Sequence, residues 1–230
     1  MVNVLCNDIY KLFLSGNKAN NRKLFDKVFE LSRYFFQNPV TVESLENLFE
    51  LEKKLMNSKG SHKQLIEEHI FQAFSSSSLY CSPEQTDNEY LTLNEKLIEK
   101  ATDINEKQKY IVASKLVSFA IEVFKFKKAR DNFNSKRKSL SLEILGNISN
   151  YYDIPEALEL CLLSLKSKKK TLILSALEFQ ANYTRNREIP LSSEVSRILD
   201  KILLQSKDRS VAVSALDLQV KTGNISEFEA

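Results

Sequence analysis

The chain has 230 residues, 43% of them hydrophobic and 27% charged, with a formal net charge of +3, the balance of an ordinary soluble folded protein. So small a charge does not by itself imply a polyanionic partner, and the length allows one large domain, two small ones or an array without a central core. Only four Gly and four Pro occur, and the apolar residues fall mostly at helical spacing, so the class is all-α.

The first fifteen residues alternate apolar and polar, interrupted by Asp8 and Lys11, with no long apolar run and no signal peptide. The first third then reads as amphipathic helices. Phe25, Val28, Phe29, Leu31 and Phe35 recur at three-to-four spacing and stop at Asn38-Pro39, where proline disfavours helix in the residue before it. Thr41 is the expected N-cap of the next helix, with Glu43 and Glu46 in its first turns and Leu45, Leu48, Phe49, Leu51 and Leu55 as its stripe. Gly60 breaks that pattern, and Leu65, Ile66, Ile70, Phe71 and Phe74 begin a third helix. An N-terminal helical unit is therefore expected over residues 1–74. The polar run Ser75–Asn88 is expected to be a linker or an inter-helix loop (75–89). Helices are then expected at Tyr90–Lys100 and Gln108–Phe126.

Residues 90–230 read as a repeat array. Lys170-Thr171-Leu172-Ile173-Leu174-Ser175-Ala176-Leu177 matches Arg209-Ser210-Val211-Ala212-Val213-Ser214-Ala215-Leu216, and Lys138-Ser139-Leu140-Ser141-Leu142 is a looser copy. From Lys138 to Lys170 is 32 residues, and from Lys170 to Arg209 is 39. A period in this range marks stacked supersecondary units, none of which buries its apolar face without a neighbour. The first helices of the pairs are expected at 138–149, 170–182 and 209–221, with Asn150-Tyr151 and Asn182-Tyr183 at two of their ends and Gly223 after the third. Asp153-Ile154-Pro155-Glu156 and Glu188-Ile189-Pro190 are expected to open the second helices, since proline suits the first helical turn. Asn224-Ile225-Ser226-Glu227 stands where a third such opening would fall. The array thus reads as ending in mid-repeat at Ala230, which leaves an open edge for another segment or for a second copy of the chain.

Helix pairs of this length, with proline entering the second helix and a basic residue before the first, resemble the HEAT/armadillo superfamily over roughly residues 137–230. The tetratricopeptide pattern is absent. The resemblance implies a right-handed α-solenoid of antiparallel helix pairs acting as a protein-interaction module or scaffold, with a protein partner and without a reaction of its own. Some DNA-glycosylase-like proteins share such repeats but place tryptophan at the DNA surface, and this chain has no Trp.

Charge is unevenly spread. Residues 1–119 carry 15 Lys/Arg against 16 Asp/Glu (net −1) and residues 120–230 carry 18 against 14 (net +4). Lys136-Arg137-Lys138, Lys168-Lys169-Lys170 and Lys207 with Arg209 each precede an expected helix. Stacked in register, they would form a basic ridge able to take phosphate, nucleic acid or an acidic protein surface. Lysine there also serves simply to solvate the loops and to satisfy preceding helix carbonyls.

His62 and His69 lie two helical turns apart, about 10.5 Å of rise, too far to share one metal easily. Gly16, Gly60, Gly146 and Gly223 are isolated and make no phosphate loop. Cys6, Cys81 and Cys161 have no pairing spacing and fit free thiols in a reducing compartment, hence the cytoplasm; Cys161 is expected in a core. No catalytic, metal-ligating or cofactor-binding residue is named by the sequence. The phenylalanines of the Phe-rich N-terminal helices (Phe25, Phe29, Phe35, Phe36) are expected to be mostly core, with some available for docking.

Overall fold

A computed structural model describes residues 1–60, 62–83, 91–93, 95–126 and 134–223. Among them are eleven α-helices and one pair of two-residue strands, so the protein is all-α. No helix of the described residues is long and apolar enough to cross a membrane. Contacts divide the chain into two compact units, Met1–Glu89 with Leu93–Phe119, and Tyr90–Thr92 with Ala120–Ala230.

The first unit contains α1 (Val2–Ser15), α2 (Asn21–Gln37), α3 (Val42–Met56) and α4 (Lys63–Tyr80), followed by α5 (Glu95–Lys100) and most of α6 (Ile104–Lys125). The N-terminal alternation folds as α1, which buries Leu5, Ile9 and Phe13. Helical spacing survives inside the alternating pattern because these three residues are four apart. Gly16 ends α1 at φ 57, the left-handed conformation that glycine adopts without a Cβ penalty.

α2 buries Leu24, Val28, Leu31 and Phe35 and stops at Gln37, ahead of Asn38-Pro39. Thr41 caps α3 as expected. Its Oγ1 accepts from the Ser44 N–H at 3.1 Å, while the Thr41 N–H donates to Ser44 Oγ at 3.1 Å, a reciprocal capping box. α1 packs on α2 and α3, and α4 packs on α2 and α3, so two helix pairs lie one upon the other. The rings of Phe49 and Phe119 stack at 4.1 Å with Phe74 against both, and Glu46 takes Lys115 of α6 at 2.7 Å.

The serine run does not form a loop. α4 continues through Ser75–Ser78 to Tyr80, which corrects the expected linker at its N-terminal end. Ser76, Ser77 and Ser78 donate their hydroxyls to the carbonyls of Gln72, Ala73 and Ser75, and Ser77 and Ser78 are fully buried. Satisfied within their own helix, these hydroxyls do not compete for its backbone. The rest of the expected linker, 84–89, lies outside the described residues.

The second unit contains α7 (Asn134–Ser149), α8 (Pro155–Leu165), α9 (Lys170–Arg187), α10 (Ser193–Gln205) and α11 (Arg209–Lys221). Strand β1 (Leu91–Thr92) pairs in parallel with β2 (Tyr152–Asp153), at a place where the sequence pattern reads as helix from Tyr90. Pro155 stands in the first turn of α8, as expected. Pro190 does not open α10. Glu188 takes a left-handed turn at φ 51, and Ser192 caps the helix by accepting from the Val195 N–H at 3.3 Å. α9 runs past Asn182-Tyr183 to Arg187, while α11 matches its expected bounds and is followed by Gly223 at φ 72. The opening expected at Asn224–Glu227 lies outside the described residues.

α9 packs on both α7 and α11. At one end, Asn186 of α9 bonds Asn150, and Arg187 donates to the Ser149 and Tyr152 carbonyls and pairs with Asp153 at the end of α7. At the other end, Lys170, which opens α9, pairs with the α11 cap Asp208 at 2.9 Å. These contacts set α7, α9 and α11 side by side and parallel.

The 39-residue offset extends to the packing. Leu172, Ala176, Phe179 and Gln180 of α9 are buried, and so are Val211, Ala215, Leu218 and Gln219 of α11. Gln180 Oε1 lies 3.9 Å from Cys161 Sγ of α8, and Gln219 Nε2 donates to Asp200 Oδ1 of α10 at 2.8 Å. Cys161 and Asp200 are themselves 39 apart. The pairs α8–α9 and α10–α11 thus share buried positions and one inter-helix contact at an offset of 39.

Candidate functional site

The basic residues singled out by sequence fall into three groups. α7 starts at Asn134, four residues ahead of Lys138, so Lys136–Lys138 belong to its first turns instead of preceding it. Successive helical residues point about 100° apart, so one of three must face the packed side. That residue is Arg137, fully buried (0% exposed), and it is removed from the surface ridge. Lys136 is exposed, and the Lys138 ammonium sits 4.9 Å over the Phe124 ring.

The second cluster remains at the surface. Lys168 and Lys169 are exposed in the link between α8 and α9. Lys170 opens α9 and is held by Asp208, which also accepts from the Ser210 hydroxyl at 2.6 Å and the Ser210 and Val211 N–H groups. The Ser210 hydrogen bond first, and the Lys170 ammonium second, hold the Asp208 carboxyl at about 2, well below its ordinary value. The unfavourable lysine at one helix N-terminus is thus offset by the acid capping its neighbour. Lys207 and Arg209 are exposed on either side of that cap.

Beside this cluster is a feature that the ridge reading missed. A cavity of about 560 Å³ opens among the end of α8, the start of α9, the middle of α10 and the start of α11. Its apolar wall is Leu165, Ile173, Ile198, Ile202 and Val211, and its polar rim includes Lys166, Lys168, Lys201 and Gln205. Lys166 is paired with Glu194 at 2.8 Å, and that hydrogen bond holds the Glu194 carboxyl below its ordinary value. Lys168 and Lys201 have no carboxylate within ion-pair distance among the described residues. α9 has no side-chain cap, whereas α10 and α11 have one each. The sequence signal was available in Ile198, Lys201 and Ile202, which put two apolar residues and a cation on neighbouring positions of α10.

In the first unit, His62 and His69 are not brought to one point. Each imidazole meets an aromatic ring of α2 edge-on, His62 with Phe25 at 5.2 Å and His69 with Phe29 at 4.9 Å. His69 Nδ1 is 3.3 Å from Ser32 Oγ. Phe35 is core, Phe25 is half-buried, and Phe29 and Phe36 are 57% and 69% exposed. Among the described residues no group of three or more His, Cys, Asp or Glu is placed to hold a metal ion.

Cys6, Cys81 and Cys161 are buried and unpaired with one another. Burial pushes the Cys6 and Cys81 thiols up to about 12, and raises Cys161 further still. A thiol so raised is no nucleophile at neutral pH. Comparison with family models, with curated proteins and with solved structures finds no match to this chain.

Proposed function

We propose that the protein is a non-enzymatic interaction module whose second unit is a HEAT-like α-solenoid, and that its partner is another protein. The observation that carries this reading is the 39-residue repeat of both sequence and packing across α8–α9 and α10–α11, with α7, α9 and α11 in a parallel row. Such an arrangement makes a surface of successive helices available to a long partner segment. The inert state of the three thiols gives no support to a cysteine-based reaction.

Nucleic-acid binding through the basic ridge is the second reading, and the side chains favour it less. Of its eight residues, Arg137 is buried, Lys170 is ion-paired and Lys138 lies on an aromatic ring. Five remain as exposed cations, Lys136, Lys168, Lys169, Lys207 and Arg209.

Binding to labelled duplex and single-stranded DNA and RNA at about 50 and 200 mM salt separates the two, because phosphate contacts make affinity fall steeply with salt. Chemical cross-linking in cells, followed by reconstitution with the purified partner, tests the first directly. A stoichiometric protein complex with weak, non-specific nucleic-acid binding is expected. Tight salt-dependent nucleic-acid binding, with no reconstituted protein complex, overturns it.

A further inference from the structure

The cavity at the α8–α11 end of the second unit combines two chemistries that single out a ligand class. Its wall is five aliphatic side chains, of which Leu165 and Val211 are 2% exposed and Ile198 is 8% exposed. Ile173 and Ile202 are half-buried and form the more accessible part of that wall. Its rim carries Lys168 and Lys201, which meet no carboxylate among the described residues, while the nearby Lys166 and Lys170 both do. Two cations on one rim are thus left over beside the apolar wall. The uncapped start of α9 adds N–H groups and the positive end of a helix dipole on the same side.

We propose that this cavity is a peptide-docking site for a short acidic segment of a partner protein, with one or two aliphatic or aromatic side chains inserted against Ile173, Ile198 and Ile202 and flanking carboxylates on Lys168 and Lys201. A volume of about 560 Å³ lies in the range of ordinary ligand pockets, room for an anchor and its neighbours and too little for a folded domain. Apolar contact supplies the affinity and the lysines supply orientation and encounter rate, so affinity falls with salt but is not abolished. A nucleic-acid strand satisfies the lysines and leaves the aliphatic wall without a partner. Among the described residues that line it there is no aromatic ring on which a base could stack.

This inference rests on the interaction-module reading and narrows it to one place and one partner chemistry. The test is an array of peptides of about ten residues spanning acidic–apolar, basic–apolar and acidic–polar compositions, probed with the whole chain at low and near-physiological salt. Binders are then titrated by fluorescence anisotropy against the native protein, Lys168→Glu/Lys201→Glu and Ile202→Ser. Circular dichroism melts confirm that each variant is folded. Enrichment of acidic–apolar peptides, with affinity reduced about tenfold or more by the double lysine reversal and several-fold by Ile202→Ser, is the expected result.

Peptides that bind equally well to the folded variants overturn the site and leave the module reading standing. So does enrichment of acidic–polar or basic–apolar peptides. Absence of any peptide binder, with nucleic-acid binding that the lysine reversal removes, overturns both.

Discussion

In the first unit the helices meet through rings, with Phe49, Phe74 and Phe119 in mutual contact and Phe71 edge-on to Phe74. In the second they meet over small residues. Gly146, Ala157, Ala176 and Ala215 lie at buried positions, and the Phe179 ring rests over Gly146. Bulky rings fill irregular space where α3, α4 and α6 meet and need no fixed period. Small residues at repeated positions let backbones approach at a constant distance, which is what a row of like helices requires. The second unit therefore shows like helices at a fixed offset in the sequence, and the first, joined by unlike side chains, shows none.

The comparison is broken most directly by hollowing each core. Leu48 and Leu145 are both fully buried, in α3 and α7 respectively. Leu48→Ala and Leu145→Ala are each expected to cost about 2–5 kcal/mol in urea unfolding, according to how far the site collapses. Equal losses would indicate that ring-filled and small-residue seams relax alike. A larger loss at Leu145 would show that the repeat seam is the stiffer.

The next effect belongs to the second unit alone. Arg187, its side chain 8% exposed, donates to two carbonyls at the end of α7, pairs with Asp153 and lies 4.3 Å from the Tyr183 ring centroid. Arg187→Ala leaves those carbonyls short of donors and is expected to cost about 2–3 kcal/mol. Arg187→Lys is expected to recover only part, because a point charge cannot reproduce the guanidinium fork. Amide exchange at the α7 and α9 ends reads this directly. Unchanged protection in Arg187→Ala would remove the clip from the account of the parallel row.

The two close approaches at glycine sharpen the contrast further. A Cβ on Gly60 would meet the Phe13 ring well inside contact distance, whereas one on Gly146 would sit 3.3 Å from Phe179. Gly60→Ala is expected to destabilise by about 1–3 kcal/mol through overpacking, and Gly146→Ala by less. Thermal melts of the two variants rank them, and the reverse order would place the tighter seam in the second unit.

Opposite in sign is Ser141, fully buried in α7, its hydroxyl without a hydrogen-bond partner among the described residues. Ser141→Ala is expected to stabilise by about 0.5–1 kcal/mol, since it removes an unsatisfied hydroxyl and improves helix propensity. A loss of stability would mean that the hydroxyl has a partner in solution.

Much of the fold was legible because its signals are local. Thr41 as a cap, the stop before Pro39, Pro155 at the start of α8 and the full span of α11 each depend on a few neighbouring residues. The failures have the complementary cause. The Ser75–Ser78 run reads as loop by composition, yet each of the last three hydroxyls finds a carbonyl in its own helix. Pro190 reads as a helix start, yet Ser192 two residues later offers a side-chain acceptor that proline lacks. Strand β1 depends on β2, sixty residues distant, and carries no pattern of its own. For the candidate site, the loop lysines were visible as a charge pattern, but the buried face of Arg137 and the aliphatic wall near Lys168 depend on helix phase and on which elements meet.

The smallest expected effect concerns the cap that joins the repeats. Asp208 is half-buried, and its carboxyl is held at about 2 by the Ser210 hydroxyl and Lys170, against 3.8 for an unperturbed aspartate. A carboxylate whose folded value is depressed binds fewer protons when folded, so its contribution is fully present above about 4 and is lost as the pH falls through about 2. The start of α11 should therefore loosen between these limits, visible as rising amide exchange at Ser210 and Val211. Asp208→Asn keeps a cap acceptor without the charge, so it should flatten this acid limb while leaving α11 formed at neutral pH. A limb that persists in Asp208→Asn would trace the acid sensitivity to another group. It would also leave the α9–α11 register resting on the packing of the two helices alone.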